Sequence, residues 1–200
     1  MYSAAILVGG RAARFGGRDK GALLVEGRTI RDRQLAVLSE IADDVLIVDS
    51  KNGAAEAPRH LTLRTIADVI PGCGPMGGVH AALSAARGDA VIVVACDMPY
   101  LTAPFAAHLL SLARGADLVV PRTERGYHPM CAAYTRACLD PLARRLAARE
   151  LRMTSLFDDV RVRVVEGEEL ERFGDRDRLL ANVNTPADYA GLAALQGHTR

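Results

Sequence analysis

Tryptophan is absent from this 200-residue chain, and aromatic residues make up only 4% of it. A core must therefore be built from alanine, valine and leucine, and with 50% of residues hydrophobic there is enough apolar material for one. Neither sign of charge is in excess: 25 Lys and Arg face 24 Asp and Glu, for a net charge of +1. That balance excludes a general pull towards nucleic acid or anionic lipid, so neither is an expected partner and any anion site must be local. Cys73, Cys96, Cys131 and Cys138 form no C-x-x-C pair, and His60, His80, His108, His128 and His198 show no zinc-type spacing against them. They read as single buried or half-buried thiols in a reducing compartment. No apolar run approaches the roughly 20 residues that cross a bilayer. Met1-Tyr2-Ser3 leads straight into an apolar strand without the basic segment of a secretory signal, so the expected location is the cytoplasm. Repeats and low-complexity segments are missing as well.

What the chain does contain is an alternation of short apolar runs and helical periodicity. Ser3 to Val8, Val45 to Val48, Val91 to Ala95, Leu118 to Val120 and Val162 to Val165 are continuous runs, as expected of strands covered on both faces. A shorter run spans Leu63 to Ala67. Between them, Leu35, Leu38 and Ile41 recur at helical spacing behind a capping-box-like Thr29 and Asp32. Val79, Ala82, Leu83 and Ala86 repeat the pattern, as do Phe105, Leu109 and Leu112, and then Leu139, Leu142 and Leu146. Thr185-Pro186 reads as an N-cap and first helical residue. The charge-rich stretch Glu166 to Arg178 reads as solvated surface. Strands alternating with helices predict βαβ units, hence an α/β fold: a single three-layer αβα sandwich over residues 1–200 on a mostly parallel, Rossmann-like sheet. Ligands in such sheets bind outside the carboxyl ends of the strands, which directs attention to the residues after Val8, Val48, Ile66 and Ala95.

Immediately after Val8 comes Gly9-Gly10-Arg11-Ala12-Ala13-Arg14-Phe15-Gly16-Gly17-Arg18-Asp19-Lys20-Gly21. Glycines let backbone amides approach and cradle an anion, and the four cations of this loop can neutralise phosphate. It is not a Walker A loop, because Gly21 follows Lys20 where Ser or Thr is needed. Nor is it the G-x-G-x-x-G of a dinucleotide fold, which disfavours an NAD-dependent oxidoreductase. Asp97 closes the third apolar run. A strand-end Asp can bond a turn amide, or it can anchor magnesium, which takes few carboxylates and completes its shell with water and substrate phosphate.

Leu7-Val8-Gly9-Gly10, Arg14-Phe15-Gly16-Gly17 and Asp19-Lys20-Gly21 resemble the signature of the molybdenum cofactor guanylyltransferases, a branch of the nucleotide-diphospho-sugar transferase type. The resemblance continues in order along the chain. It takes in Asp68 with Gly74-Pro75-Met76-Gly77-Gly78, Cys96-Asp97-Met98-Pro99-Tyr100, His128-Pro129 and Asn182-Val183-Asn184-Thr185-Pro186. Val8 stands where the family usually has Ala, and Asp49 near where an Asn often contacts the nucleotide. The resemblance implies a nucleotide-binding half, 1–100, and an acceptor-binding half, 101–200. It implies nucleotide contacts from Leu7, Val8, Gly9, Gly10, Lys20, Asp68, Gly74, Gly77 and Asp97, with Asp97 as the Mg2+ ligand. Lys20, Arg14 and Asp97 would be catalytic, and His128, Asn182 and Asn184 would face the acceptor. A helix starting near Val79 would present its N-terminal amides beside Gly77-Gly78. The expected partners are GTP, molybdopterin or the molybdenum cofactor, and molybdoenzyme-maturation proteins. Three alternatives stay open: a cytidylyltransferase for molybdopterin, a guanylyltransferase for another phosphorylated acceptor, and a non-catalytic nucleotide sensor. Other structural roles also stay open: capping near Thr185 for Asn184, a strand start for His128, and a solvated helix face for Arg149 and Arg152.

Overall fold

The computed structural model of the chain describes residues 1–8, 20–49, 62–67 and 72–196. Among these, eight strands form the main sheet. The first, β1 (Tyr2–Val8), lies at its centre, parallel on one side to β4 (Asp44–Asp49) and on the other to β6 (Ala90–Ala95). The two intervening short strands, β2 (Leu24–Val25) and β3 (Arg28–Thr29), form a separate hairpin. Beyond β4 comes β5 (Thr62–Ala67). Beyond β6 come β9 (Cys131–Thr135), β7 (Leu118–Thr123) and β10 (Val162–Val165), with β8 (Gly126–Tyr127) paired to β7 as a hairpin.

The continuous apolar runs become strands because both of their faces are covered. Ala4 and Ile6 of β1, with Ile92 and Val94 of β6, face α1 (Ile30–Ser39) and α3 (Ala103–Leu112) through Leu35, Leu38, Phe105 and Leu109. Ala5 and Leu7, with Val91 and Val93, face α2 (Gly74–Ala85) and α4 (Leu139–Ala147) through Val79, Leu83, Leu142 and Leu146. This gives the three layers expected. A smaller cluster of Val25, Ile30, Tyr100, Val183 and Leu192 joins the hairpin to α7 (Pro186–Gln196). Thr29 caps α1, its hydroxyl accepting from the Asp32 amide at 3.0 Å.

Two expectations need correcting, and one strand has no signal in the sequence. The strand β9 went unread: Cys-Ala-Ala-Tyr-Thr carries one β-branched residue and no alternation. It is also the strand that runs against its neighbours β6 and β7, so the sheet is mixed although mostly parallel. Next, α2 begins at Gly74, not near Val79, because Gly74 takes φ +59° and Pro75 supplies the preset first turn. Lastly, Glu166 to Arg178 is not uniformly solvated. It folds into α5 (Glu168–Glu171) and the start of α6 (Arg176–Leu179), buries Leu170, and sets Phe173 against Phe105 at 5.5 Å between ring centres. Two apolar residues three apart suffice to face a helix while the charges between them stay outside. The four cysteines are buried, and burial pushes the pKa of the Cys131 and Cys138 thiols up to about 12. Among the described residues no helix is long and apolar enough to cross a membrane.

Candidate active site

The chain leaves β1 towards β4 on one side of the sheet and returns to β6 on the other. Such a switch point opens a crevice at the carboxyl ends of the two central strands. Here it is a cleft of about 410 Å³, with Leu7, Val8, Val48 and Ala95 as its strand-end floor. The first residues of α2 form one wall through Gly74, Pro75 and Gly78, and Tyr127, His128, Pro129 and Met130 form another.

Polar groups from three distant segments meet in this cleft. Lys20 begins a short 3-10 turn, Lys20–Ala22, just after the glycine-rich loop. Its Nζ donates to Asp97 Oδ2 at 3.0 Å and to Asn184 Oδ1 at 2.9 Å. Lys20 and Asp97 keep only 20% and 13% of their side-chain surface exposed, so the pair is shielded but reachable. Asp97 also ties the far segment down through its backbone, its carbonyl accepting from the Val183 amide at 2.9 Å. Asn184 is held from the other side. The Asp188 carboxylate accepts from the Asn184 and Thr185 amides at 2.9 and 2.8 Å, while the Asp188 amide donates to Thr185 Oγ1 at 3.1 Å. This reciprocal capping box starts α7, as Thr185-Pro186 suggested. The Asn184 amide foremost, then the Thr185 amide and hydroxyl and the Lys20 charge, outweigh burial and hold the Asp188 carboxyl below its ordinary range.

His128 lines the cleft with its ring nitrogen Nε2 at 2.9 Å from Thr123 Oγ1. Burial, with the Arg125 charge added, lowers its pKa, so the ring is neutral near pH 7. Tyr127 presents an exposed ring at the rim, edge-on to Phe157 at 4.9 Å and with the Arg122 guanidinium 5.6 Å from its centre.

Of the predicted site residues, Leu7, Val8, Lys20, Gly74, Asp97, His128, Asn182 and Asn184 line this one cleft. Gly77 does not: it is buried in α2, and the next residue, Gly78, reaches the cleft instead. A Cβ on Gly78 would stand 2.9 Å from Leu7 Cδ1. Two glycines inside a helix cost about 1 kcal/mol each relative to Ala, so the pair itself was a sign of close approach. Tyr127 and Met130 were missed, since no pattern marks them. Arg149 and Arg152 are exposed and away from the cleft lining. Gly9, Gly10, Arg14 and Asp68 lie outside the described residues. Among the described residues no three His, Cys, Asp or Glu side chains gather to hold a metal. The residues that could hold a cation here are Asp97 and either Asn182 or Asn184, with substrate oxygens completing its shell.

Known proteins resemble this chain in sequence and in fold. The sequence profile of the MobA-like NTP transferase domain matches residues 4–163. A probable molybdenum cofactor guanylyltransferase of Pelotomaculum thermopropionicum is 35% identical, over 98% of this chain and 93% of its own. A molybdenum cofactor guanylyltransferase of Desulfosudis oleivorans is 31% identical, over 90% and 88%. The crystal structure of molybdopterin-guanine dinucleotide biosynthesis protein A from Archaeoglobus fulgidus superposes with a TM-score of 0.78 at 24% identity, covering 98% of this chain and all of the other. The profile begins inside β1 and runs into β10, taking in every strand of the sheet, and so this chain belongs to the MobA-like NTP transferase family.

Proposed function

We propose that this protein transfers GMP from GTP to the terminal phosphate of molybdopterin, carried as the molybdenum cofactor, and releases pyrophosphate. The observation that carries the reading is the meeting of Lys20, Asp97 and Asn184 at the switch point of the sheet. The names of the two relatives support the guanine nucleotide over a cytidine one. Residues 1–100 then serve the nucleotide, with Leu7, Lys20, Gly74 and Asp97. Residues 101–200 serve the acceptor, with His128, Asn182 and Asn184. The setting is the cytosol.

In the reaction an acceptor phosphate oxygen attacks the α-phosphorus of GTP, the bond from that phosphorus to the bridging oxygen breaks, and the electron pair leaves on pyrophosphate. The acceptor is already anionic near neutral pH, so no side chain need take a proton, and catalysis rests on positioning and charge neutralisation. Lys20 can release Asp97 and turn its ammonium to the departing pyrophosphate. Arg14, by its place in the same loop, would assist.

The donor set suits a hard divalent cation, magnesium in this reading, because it consists of oxygens alone and has room for substrate phosphate. Such an ion, when bound, supplies charge neutralisation on the triphosphate. Asp97 would hold it, with Asn182 or Asn184 adding a neutral oxygen.

The test is pyrophosphate release with molybdopterin as acceptor, alongside melting curves with GTP, CTP, ATP and UTP in magnesium. A selective ligand raises apparent stability by RT ln(1 + [L]/Kd). GTP should give the largest shift and support turnover. An equal or larger response to CTP would move the assignment to a cytidylyltransferase, and binding without turnover would make the protein a sensor.

A further inference from the structure

Asp97 sits just past the end of β6, in a turn flanked by the carbonyls of Ala95, Met98 and Pro99. Two adjacent residues of α1 take up those carbonyls. The Gln34 amide nitrogen donates to the Ala95 carbonyl at 2.7 Å and to the Met98 carbonyl at 3.0 Å, bracketing Cys96 and Asp97 with a single atom. Arg33 Nε donates to the Pro99 carbonyl at 3.0 Å. Gln34 is one of three fully buried polar residues among those described, at 1% exposure, and its Oε1 is buried with no hydrogen-bond partner among them. An amide with an orphaned acceptor is costly to bury. An apolar residue at this position of α1 would avoid that cost but would supply no donor to either carbonyl. The opposite amide orientation would point an oxygen at both, so the donor assignment is secure.

We propose that Gln34, together with Arg33, is a positioning residue for Asp97, the two fixing the turn so that the Asp97 carboxylate is aimed at Lys20 and at a cation on the nucleotide phosphates. The proposal rests on the role given to Asp97 above. Residues that orient a metal ligand without touching the metal typically cost 10- to 100-fold in affinity or activity when removed, that is about one to two powers of ten.

Gln34→Met keeps the length of the side chain and removes both donors. Its kcat for pyrophosphate release should fall about 10- to 100-fold, with KM for GTP within about threefold of wild type. Mn2+ binding in the presence of a non-hydrolysable GTP analogue, followed by electron paramagnetic resonance, should weaken by about the same factor as kcat. A lowered melting temperature with unchanged kcat and Mn2+ affinity would make Gln34 a packing residue and overturn the proposal. Should Gln34→Met fail to fold, Arg33→Met, at a less buried position, withdraws the third donor. It must then weaken Mn2+ binding at an unchanged KM for GTP, and unaltered Mn2+ binding there overturns the proposal. Asp97→Asn serves as the control. Wild-type rates and Mn2+ affinity in that variant sink the reading of Asp97 itself, whereas an inactive Asp97→Asn beside a normal Gln34→Met sinks only this proposal.

Discussion

Lys20 joins, through one ammonium, two oxygens that belong to residues 77 and 164 positions further along the chain. Nothing short of a folded sheet brings those oxygens together, and the ion pair they form is available for exchange. Lys20→Ala should lower pyrophosphate release by about 10²–10³-fold, the usual loss when one preorganised charge facing the transition state is removed. Its melting temperature should stay close to wild type, because the side chain sits in a cleft and supports no core packing. Near-normal turnover in a folded Lys20→Ala protein would take the residue out of the chemistry. The glycines show the same division between positions near the ligand and positions in the frame. A Cβ on Gly78 would press only on the tip of Leu7, whereas one on Gly88 would meet backbone atoms of residues 1 to 3 at 2.6 to 2.8 Å.

The last helix shows how an element carries a site residue without belonging to the core of the sheet. Its capping box binds Asp188 to the amides of Asn184 and Thr185, and so fixes the residue whose side chain Lys20 holds. Thr185 and Pro186 were readable as a helix start from composition alone, and the box is where local rules and tertiary position coincide. Asp188→Ala should cost about 1 kcal/mol, as lost caps do, or roughly 2–4 °C in melting temperature for a chain of this size. It should also loosen Asn184, so kcat should drop beyond what the small stability change explains. A pure stability loss with wild-type kcat at low temperature would show that Asn184 does not depend on the cap.

At the scale of the whole molecule the sheet has two unlike ends. The carboxyl end holds the cleft. The opposite end holds Asp44, fully buried, which accepts from Ser3 Oγ at 2.7 Å, from Arg64 at 2.8 Å and from the Arg87 amide at 3.0 Å. Burial alone would push its pKa up, but the Arg87 amide, the Ser3 hydroxyl and the Arg64 guanidinium more than offset that, and the carboxyl sits below its ordinary range. A lowered carboxyl pKa contributes stability that is present above the unfolded value, roughly 4, and is lost as pH falls through the folded one. Asp44→Asn should therefore lower stability at pH 7 by about 2 kcal/mol, the scale of a charged hydrogen bond. The gap from wild type should close as pH is lowered below about 4. A constant gap down to pH 2, measured by chemical denaturation, would remove Asp44 from the acid response.

Much of this was settled within the sequence. Continuous apolar runs become strands wherever both faces are covered, so β1, β4, β6 and β7 could be read from hydrophobicity alone. Gly74, Thr29 and Thr185 act through their own backbone or the next turn, so their local roles travel with the residue. The resemblance of the ordered segments from Leu7-Val8-Gly9-Gly10 to Asn182-Val183-Asn184-Thr185-Pro186 pointed to the family. Three things needed the fold. The strand β9 exists because β6 and β7 leave a gap between them with open hydrogen bonds, whatever the propensity of Cys-Ala-Ala-Tyr-Thr. Leu170 is buried because α3 offers a surface to it, although its neighbours are charged. Gln34 is tied to the Asp97 turn only because α1 packs against the end of β6. A hydrogen bond across 61 or 64 residues leaves no periodic trace, so only the tertiary structure could assign it.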